Sequence, residues 1–362
     1  MTIANALGYG WTISHDPVRY LQAELSDVLA INRISASRAP EAALRFSGHL
    51  LRDAESAFGL LEARFRRWGY TPLLRREGGE DVVLAVPGVI RPAASNPWVN
   101  LLLFAATVVS TVLAGALFTN PIPGLSRLEA GILFSASILL ILGAHEFGHY
   151  FLARSHRVAV TLPYFIPFPL SVLGTFGAFI QMQSPVRNRK SLFDVAVAGP
   201  LTGLLVAIPV LAVGLLLSPI VPHLGGRTLG ASLLVDAIVN LVRPHPAGTA
   251  ILLHPIAWAG YIGLLVTGIN LLPAGQLDGG HTAYAMFGPR SRWLAGLTVA
   301  AIGAMALITR NPGWFLWLFF ILATGVGHPE PLNDITPLDG GRKVLGIAVL
   351  LLIFVLLSPS LF

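Results

Sequence analysis

The chain contains no cysteine among its 362 residues. Disulfides and thiolate metal sites are therefore excluded, and any zinc must be held by His, Asp or Glu. Charge is scarce too: 12% of the residues are charged, against 54% hydrophobic. That balance excludes a large soluble domain, because the apolar residues cluster into stretches of membrane-spanning length. The 24 basic residues outnumber the 18 acidic ones, for a net charge of +6. They flank the apolar stretches and form no patch interleaved with aromatics, so they read as membrane-topology signals. A nucleic-acid partner is not expected. Residues 1–30 also lack a basic start followed by a continuous apolar core, and no cleavable signal peptide is expected there.

Two regions follow from composition. Residues 1–95 are arginine-rich and short in apolar runs. Leu25–Ser35 and Ala42–Leu51 read as strands, and Asp53–Trp68 as a helix with Phe58, Leu61 and Phe65 on one face and Asp53 as N-cap. Tyr70–Arg76 and Asp81–Val86 form a hairpin around Glu77-Gly78-Gly79-Glu80. The expectation is a small ββαββ α+β domain ending in a linker, Ile90–Pro97. Residues 96–362 read as a polytopic α-helical membrane domain of six to seven spans. Val99–Leu117, Ala130–Ala153, Leu192–Leu217 and Ala250–Leu272 are the clear ones. Trp293–Thr309 is acceptable, and Gly313–Val326 and Val344–Ser358 are short. Thr161–Ser184 is apolar but broken by Pro163, Pro167, Pro169, Gly174 and Gly177, which favours a re-entrant loop or β-hairpin over a continuous helix. Ser232–Val242 fits an interfacial helix.

The second span contains His145-Glu146-Phe147-Gly148-His149. This HExxH spacing puts two imidazoles on one helix face, where both can bind a single Zn²⁺, with Glu146 placed to take a proton from water. Charged side chains inside a membrane helix cost roughly 2.5–3.5 kcal/mol on insertion scales, so they mark function. The expectation is a metal-dependent hydrolase working within the bilayer.

A catalytic zinc needs a third protein ligand. The candidate is Asp278, in Asn270-Leu271-Leu272-Pro273-Ala274-Gly275-Gln276-Leu277-Asp278-Gly279-Gly280. The loop after the second span carries Arg154, Arg157, Arg187, Arg189 and Lys190 with no acidic residue, whereas the loop before it carries Arg127 alone. The positive-inside rule puts the basic loop and the N-terminal domain in the cytoplasm. Asp278, taken as the end of the fourth span, then lies at the same depth as His149. Leu338-Asp339-Gly340-Gly341 repeats the wording but reads as a cytoplasmic turn. His254 reads as structural, Asp194 as a helix-start charge, and His281, three residues past Asp278, as a possible outer partner of the site.

HEFGH on one membrane helix, with NLLPAGQLDGG on a later one, resembles the site-2 protease family of intramembrane zinc metalloproteases. The resemblance covers about residues 97–290. Gly174-Thr175-Phe176-Gly177 and Ala198-Gly199-Pro200 fall where that family has its membrane-associated hairpin and next core helix. The wording is similar to the branch shared by bacteria, cyanobacteria and chloroplasts. No loop between spans is long enough for the family's PDZ insertion. The resemblance implies His145, His149 and Asp278 as ligands of one Zn²⁺ and Glu146 as general base. It also implies transmembrane protein substrates, trimmed beforehand by another protease, and residence in a lipid bilayer, such as a bacterial inner membrane. Asn270 fits either an interhelical hydrogen bond that braces the bundle or a contact to an extended substrate backbone or the oxyanion. Gly174, Thr175, Phe176 and Gly177 fit either a tight turn or an edge strand that receives unfolded substrate by β-addition. Two other readings stand beside this one. One is a membrane metal-ion transporter, which needs no general base between two histidines. The other is a silent scaffold binding transmembrane helices, in which a ligand or the glutamate is typically lost.

Overall fold

The computed structural model describes residues 17–36, 43–92, 95–222, 232–310, 312–325 and 327–357. Most of the segment on which the signal-peptide expectation bears, residues 1–16, lies outside the described residues, as do 93–94 of the expected linker and Ala42, Val326 and Ser358 at the ends of expected elements. The chain divides into two compact units. One joins Met1–Ala93 with Gln183–Leu192 and Pro329–Leu338; the other holds Ala94–Met182, Phe193–His328 and Asp339–Phe362.

The first unit is a small sheet with helices against it. It runs α1 (Pro17–Leu25), β1 (Leu29–Ala36), β2 (Leu44–Leu50), α2 (Ala54–Arg67), β3 (Tyr70–Glu77) and β4 (Glu80–Pro87). The strands are antiparallel in the order β1-β2-β4-β3. The Asp53 side chain accepts from the Ser56 amide at 3.0 Å and starts α2. Phe58, Leu61 and Phe65 are buried along its inner face, against Phe46, Leu74, Val82 and Val83. Helix α1 is not foreseen by the sequence reading. It takes Leu25, expected in the first strand, and buries that residue beside Leu21.

The outer edge of β3 is covered. The Leu74 amide donates to the Leu332 carbonyl at 2.8 Å, and the Asp334 amide to the Leu74 carbonyl at 3.1 Å. On the far side of that segment, the Leu332 and Asn333 amides donate to Val186 and Arg187 carbonyls at 2.9 and 2.8 Å. Asn333 is fully buried, and its amide group donates to the Ala54 carbonyl and to Thr336 at 2.9 and 2.7 Å. Around it, Arg187 pairs with Glu62 (2.6 Å), Lys190 with Glu55 (2.6 Å), Arg189 with Asp334 (2.9 Å) and Arg75 with Glu330 (2.6 Å). Of the basic residues read as topology signals, Arg187, Arg189 and Lys190 thus have carboxylate partners.

The second unit is helical. Its elements are α3 (Pro97–Phe118), α4 (Arg127–Ser155), β5 (Tyr164–Pro167), β6 (Thr175–Phe179), α5 (Arg189–Leu216, of which residues 193–216 lie here) and β7 (Ile220–Pro222). They continue with α6 (Leu233–Val242), β8 (Thr249–Ile251), α7 (Pro255–Asn270), α8 (Asp278–Phe287), α9 (Ser291–Thr309), α10 (Pro312–Thr324) and α11 (Gly340–Leu356). Among the described residues, four helical stretches are long and apolar enough to cross a membrane: Pro97–Phe118, Arg127–Ser155, Arg189–Leu216 and Asp278–Thr309. The last combines α8 and α9 through a 3-10 turn at Gly288–Arg290. The chain is therefore a mostly helical integral membrane protein with a small sheet-containing N-terminal region.

Two expectations shift here. The stretch 250–272 is not one helix. Residues 249–251 pair with Ile220–Pro222 as β8, and Pro255, with the His254 side chain accepting from the Ile256 amide, starts α7 late. Helix α7 has 16 residues, about 24 Å of rise. Asp278, in turn, does not close that helix. Leu271–Leu277 forms a turn containing Pro273 and a left-handed Gly275, and Asp278 is the first residue of α8. Proline withholds its amide and disfavours helix in the residue before it, so α7 stops at Asn270.

Candidate metal centre

Helix α4 presents His145, Glu146 and His149, all three buried. Its start is fixed by a capping box in which Ser126 and Glu129 each bond the other's backbone amide. Asp278 reaches the same point from α8. The His145 Nε2 lies 3.1 Å from Asp278 Oδ2 and 3.1 Å from His149 Nε2, and His149 Nε2 lies 3.3 Å from Asp278 Oδ1. No other group of three or more His, Asp or Glu side chains converges in this way among the described residues.

The donor set fits a zinc ion. Bonds of ~2.0–2.1 Å in tetrahedral directions put neighbouring ligand atoms about 3.3 Å apart, close to the separations found here. The tautomer fits as well. His149 Nδ1 sits 2.7 Å from the Val195 carbonyl, which can only accept, so Nδ1 carries the proton and Nε2 keeps its lone pair for the metal.

Helix α5 forms the wall behind both imidazoles. A Cβ at Gly199 would overlap the His149 ring, and one at Gly203 would lie 3.1 Å from His145 Nδ1. Thr202, between them, donates to the Ala144 carbonyl of α4 at 2.8 Å. Val195 and Gly203 are missed by the sequence reading, and Gly199 enters it only within Ala198-Gly199-Pro200, although a signal for their role was present. Two glycines four apart on one helix match two histidines four apart on its neighbour.

The remaining expected site residues lie on other elements. Asn270 ends α7, half-buried. The hairpin expected in Thr161–Ser184 forms as β5 and β6, paired antiparallel from Tyr164↔Phe179 to Pro167↔Thr175. Gly174 has a φ of +71°, the Thr175 hydroxyl donates to the Ile166 carbonyl at 2.8 Å, and Gly177 has a φ of +101°. Phe176 is exposed and stacks on Phe168. Strand β6 packs against α4, the helix that carries Glu146.

The other acidic and histidine residues go elsewhere. Asp339 caps α11, accepting from the Arg342 amide at 3.0 Å, and pairs with the Arg342 side chain. Asp194 accepts from His156 at 2.9 Å and from Arg342 at 2.6 Å. His281 pairs with His328, and His254 caps α7.

These features define a class: a helical membrane protein with a His-His-Asp cluster that can hold a metal ion and a buried carboxylate beside it. Residues 133–309 match the model of peptidase family M50. It is similar to the probable zinc metalloprotease EGY2, chloroplastic, of Oryza sativa subsp. indica, 29% identical over 77% of this chain and 53% of that protein. Against the Arabidopsis thaliana protein of that name it is 31% identical over 71% of this chain and 49% of that protein. The probable zinc metalloprotease EGY1, chloroplastic, of Arabidopsis thaliana is 31% identical over 75% of this chain and 56% of that protein. The chain spans about half the length of these curated relatives.

Proposed function

We propose that the protein is an intramembrane zinc metalloprotease that hydrolyses peptide bonds in transmembrane helices of membrane-protein substrates. The observation carrying this reading is the convergence of His145, His149 and Asp278 with the buried carboxylate of Glu146 on the same helix turn as the histidines. Metal-ion transport and a silent scaffold are disfavoured, since neither calls for a general base between two intact ligands.

A zinc held by His145, His149 and Asp278 supplies Lewis acidity, polarising a carbonyl and acidifying water. The Glu146 carboxylate takes the proton from the attacking water and returns it to the leaving amine nitrogen. The His149–Val195 hydrogen bond keeps one imidazole oriented throughout. The half-buried Asn270 amide is assigned to the unwound substrate backbone or the oxyanion. Strand β6, with Gly174, Thr175, Phe176 and Gly177, is assigned to the substrate as a pairing edge, because a scissile bond must leave its helix to reach the zinc.

Residues 1–95 are read as a cytoplasmic domain and 96–362 as the protease domain, with six to seven spans and the hairpin re-entering the membrane. The proposed setting is a bacterial inner membrane, with substrates trimmed beforehand by another protease. The basic flanks and the family resemblance support these choices.

The test is cleavage of a panel of tagged single-span proteins by the purified full-length chain and by Glu146→Gln, with zinc measured on both. Equal zinc and cleavage by the wild type alone is the expected result. Zinc in neither would sink the metal site; equal turnover by both would remove Glu146 as the base.

A further inference from the structure

The β5–β6 hairpin is held by two buried polar residues of α3. Asn100 Nδ2 donates to the carbonyls of Leu162 (2.8 Å) and Pro163 (3.1 Å), where the chain enters β5. Ten positions on, about 15 Å along the helix, the Ser110 hydroxyl donates to the Gly174 carbonyl at 2.6 Å, where the chain enters β6. Between them the rings of Phe104 and Phe165 meet edge to face, with centroids 5.0 Å apart.

Both polar residues are costly where they stand. A buried polar group in an apolar helix is unfavourable unless its hydrogen bonds are made. The Asn100 Oδ1 finds no partner among the described residues, so whatever keeps this side chain here lies in the two bonds its Nδ2 donates. At the other anchor the fit is tight. A Cβ on Gly174 would lie 2.5 Å from the Ser110 carbonyl oxygen, and the left-handed backbone there also favours glycine. The Thr175 hydroxyl then ties the two strands, donating to Ile166 and accepting from the Gly177 amide at 2.9 Å. Strand β6 also packs against α4, the helix that carries Glu146. The hairpin is thus pinned to α3 at two points and meets the HExxH helix at a third.

We propose that Asn100 and Ser110 are positioning residues. They hold β6 in register with Glu146, so that a substrate strand laid along β6 presents one peptide bond to the metal centre. This rests on the protease reading above. Without the two anchors, β5 and β6 still pair with each other, but the hairpin shifts along α3 and neighbouring peptide bonds come into range. A misplacement of about 1 Å costs on the order of a hundredfold in rate.

The experiment compares the full-length wild type, Asn100→Ala, Ser110→Ala and the double variant on a tagged single-span substrate, with zinc content determined and cut sites located by mass spectrometry. The expected result is unchanged zinc, because neither residue touches the ligands. kcat should fall roughly tenfold to a hundredfold in the double variant with KM little altered, and cuts should spread over adjacent bonds. Ser110→Thr, which keeps the hydroxyl, should recover a single cut. One sharp cut at wild-type kcat in the double variant would overturn the proposal; so would a loss of rate that only follows a loss of folded, zinc-loaded protein.

A second readout does not need cleavage. The chain has no cysteine, so spin labels at Val109→Cys and Val172→Cys, both exposed positions, report the separation of α3 and the hairpin turn. The double variant should broaden that distance distribution, and an unchanged narrow one overturns the anchoring. If the wild type cuts nothing while the labels respond, the protease reading fails and the anchoring stands.

Discussion

His149 Nδ1 donates to the Val195 carbonyl at 2.7 Å, so a main-chain group of α5 sets the tautomer of an imidazole on α4. The metal centre therefore depends on how closely these two helices approach. Gly199 and Gly203, one turn and two turns beyond Val195, allow that approach.

Gly199→Ala should lower zinc affinity on the order of tenfold to a hundredfold, the range seen when a ligand's outer support is lost. Gly203→Ala, whose Cβ would sit 3.1 Å from His145 Nδ1, should cost less. Zinc titration of the purified apoproteins checks the order. Equal affinities for both variants would mean that α5 yields readily and does not set the ligand geometry.

Asp278→Ala should remove most zinc binding, whereas Asp339→Ala should leave it intact. The second change costs α11 its N-cap, about 1 kcal/mol, together with an Arg342 contact, and should register in thermal unfolding. Metal analysis of the two proteins decides between the repeated Leu-Asp-Gly-Gly sequences.

In the first unit, Asn333→Ala strands buried backbone groups that the side chain now satisfies, the Ala54 carbonyl and the Ile335 and Thr336 amides. It should destabilise the unit by about 2–4 kcal/mol and speed hydrogen exchange at the Leu74 amide. Lys190→Ala removes an ion pair with a half-exposed Glu55 and should cost under about 1 kcal/mol. Comparable exchange in the two variants would contradict the role given to the covered β3 edge.

Asp27 is held below the usual carboxylate range, first by the hydrogen bond from Arg64 and also by that residue's charge. A depressed folded pKa adds stability above the unfolded value of about 3.9. That stability is lost as pH falls through the folded pKa. The carboxyl is at the surface, so the effect is small and salt-sensitive. NMR titration of the Asp27 carboxyl should show the low value, and Arg64→Met should return it to the ordinary range.

Much of this architecture was legible in local patterns. The HExxH face follows from helical spacing alone. The β2-α2-β3-β4 portion of the N-terminal region follows from alternation, the Asp53 cap and the Gly78-Gly79 turn, all interactions within a few residues along the chain. Three long apolar helices, α3, α4 and α5, follow from hydropathy, because the bilayer imposes a length. Only the tertiary structure decided the rest. His145 and Asp278 are 133 residues apart. The sequence already paired them, but with Asp278 as the end of one span; only the tertiary structure shows the turn at Pro273 and the new helix that carry Asp278 there. The edge of β3 is completed by Leu332 and Asp334, a pairing invisible in either segment because a strand edge can take any backbone. The glycines behind the imidazoles carry no chemistry of their own; their meaning lies in the atoms that a neighbouring helix brings against them.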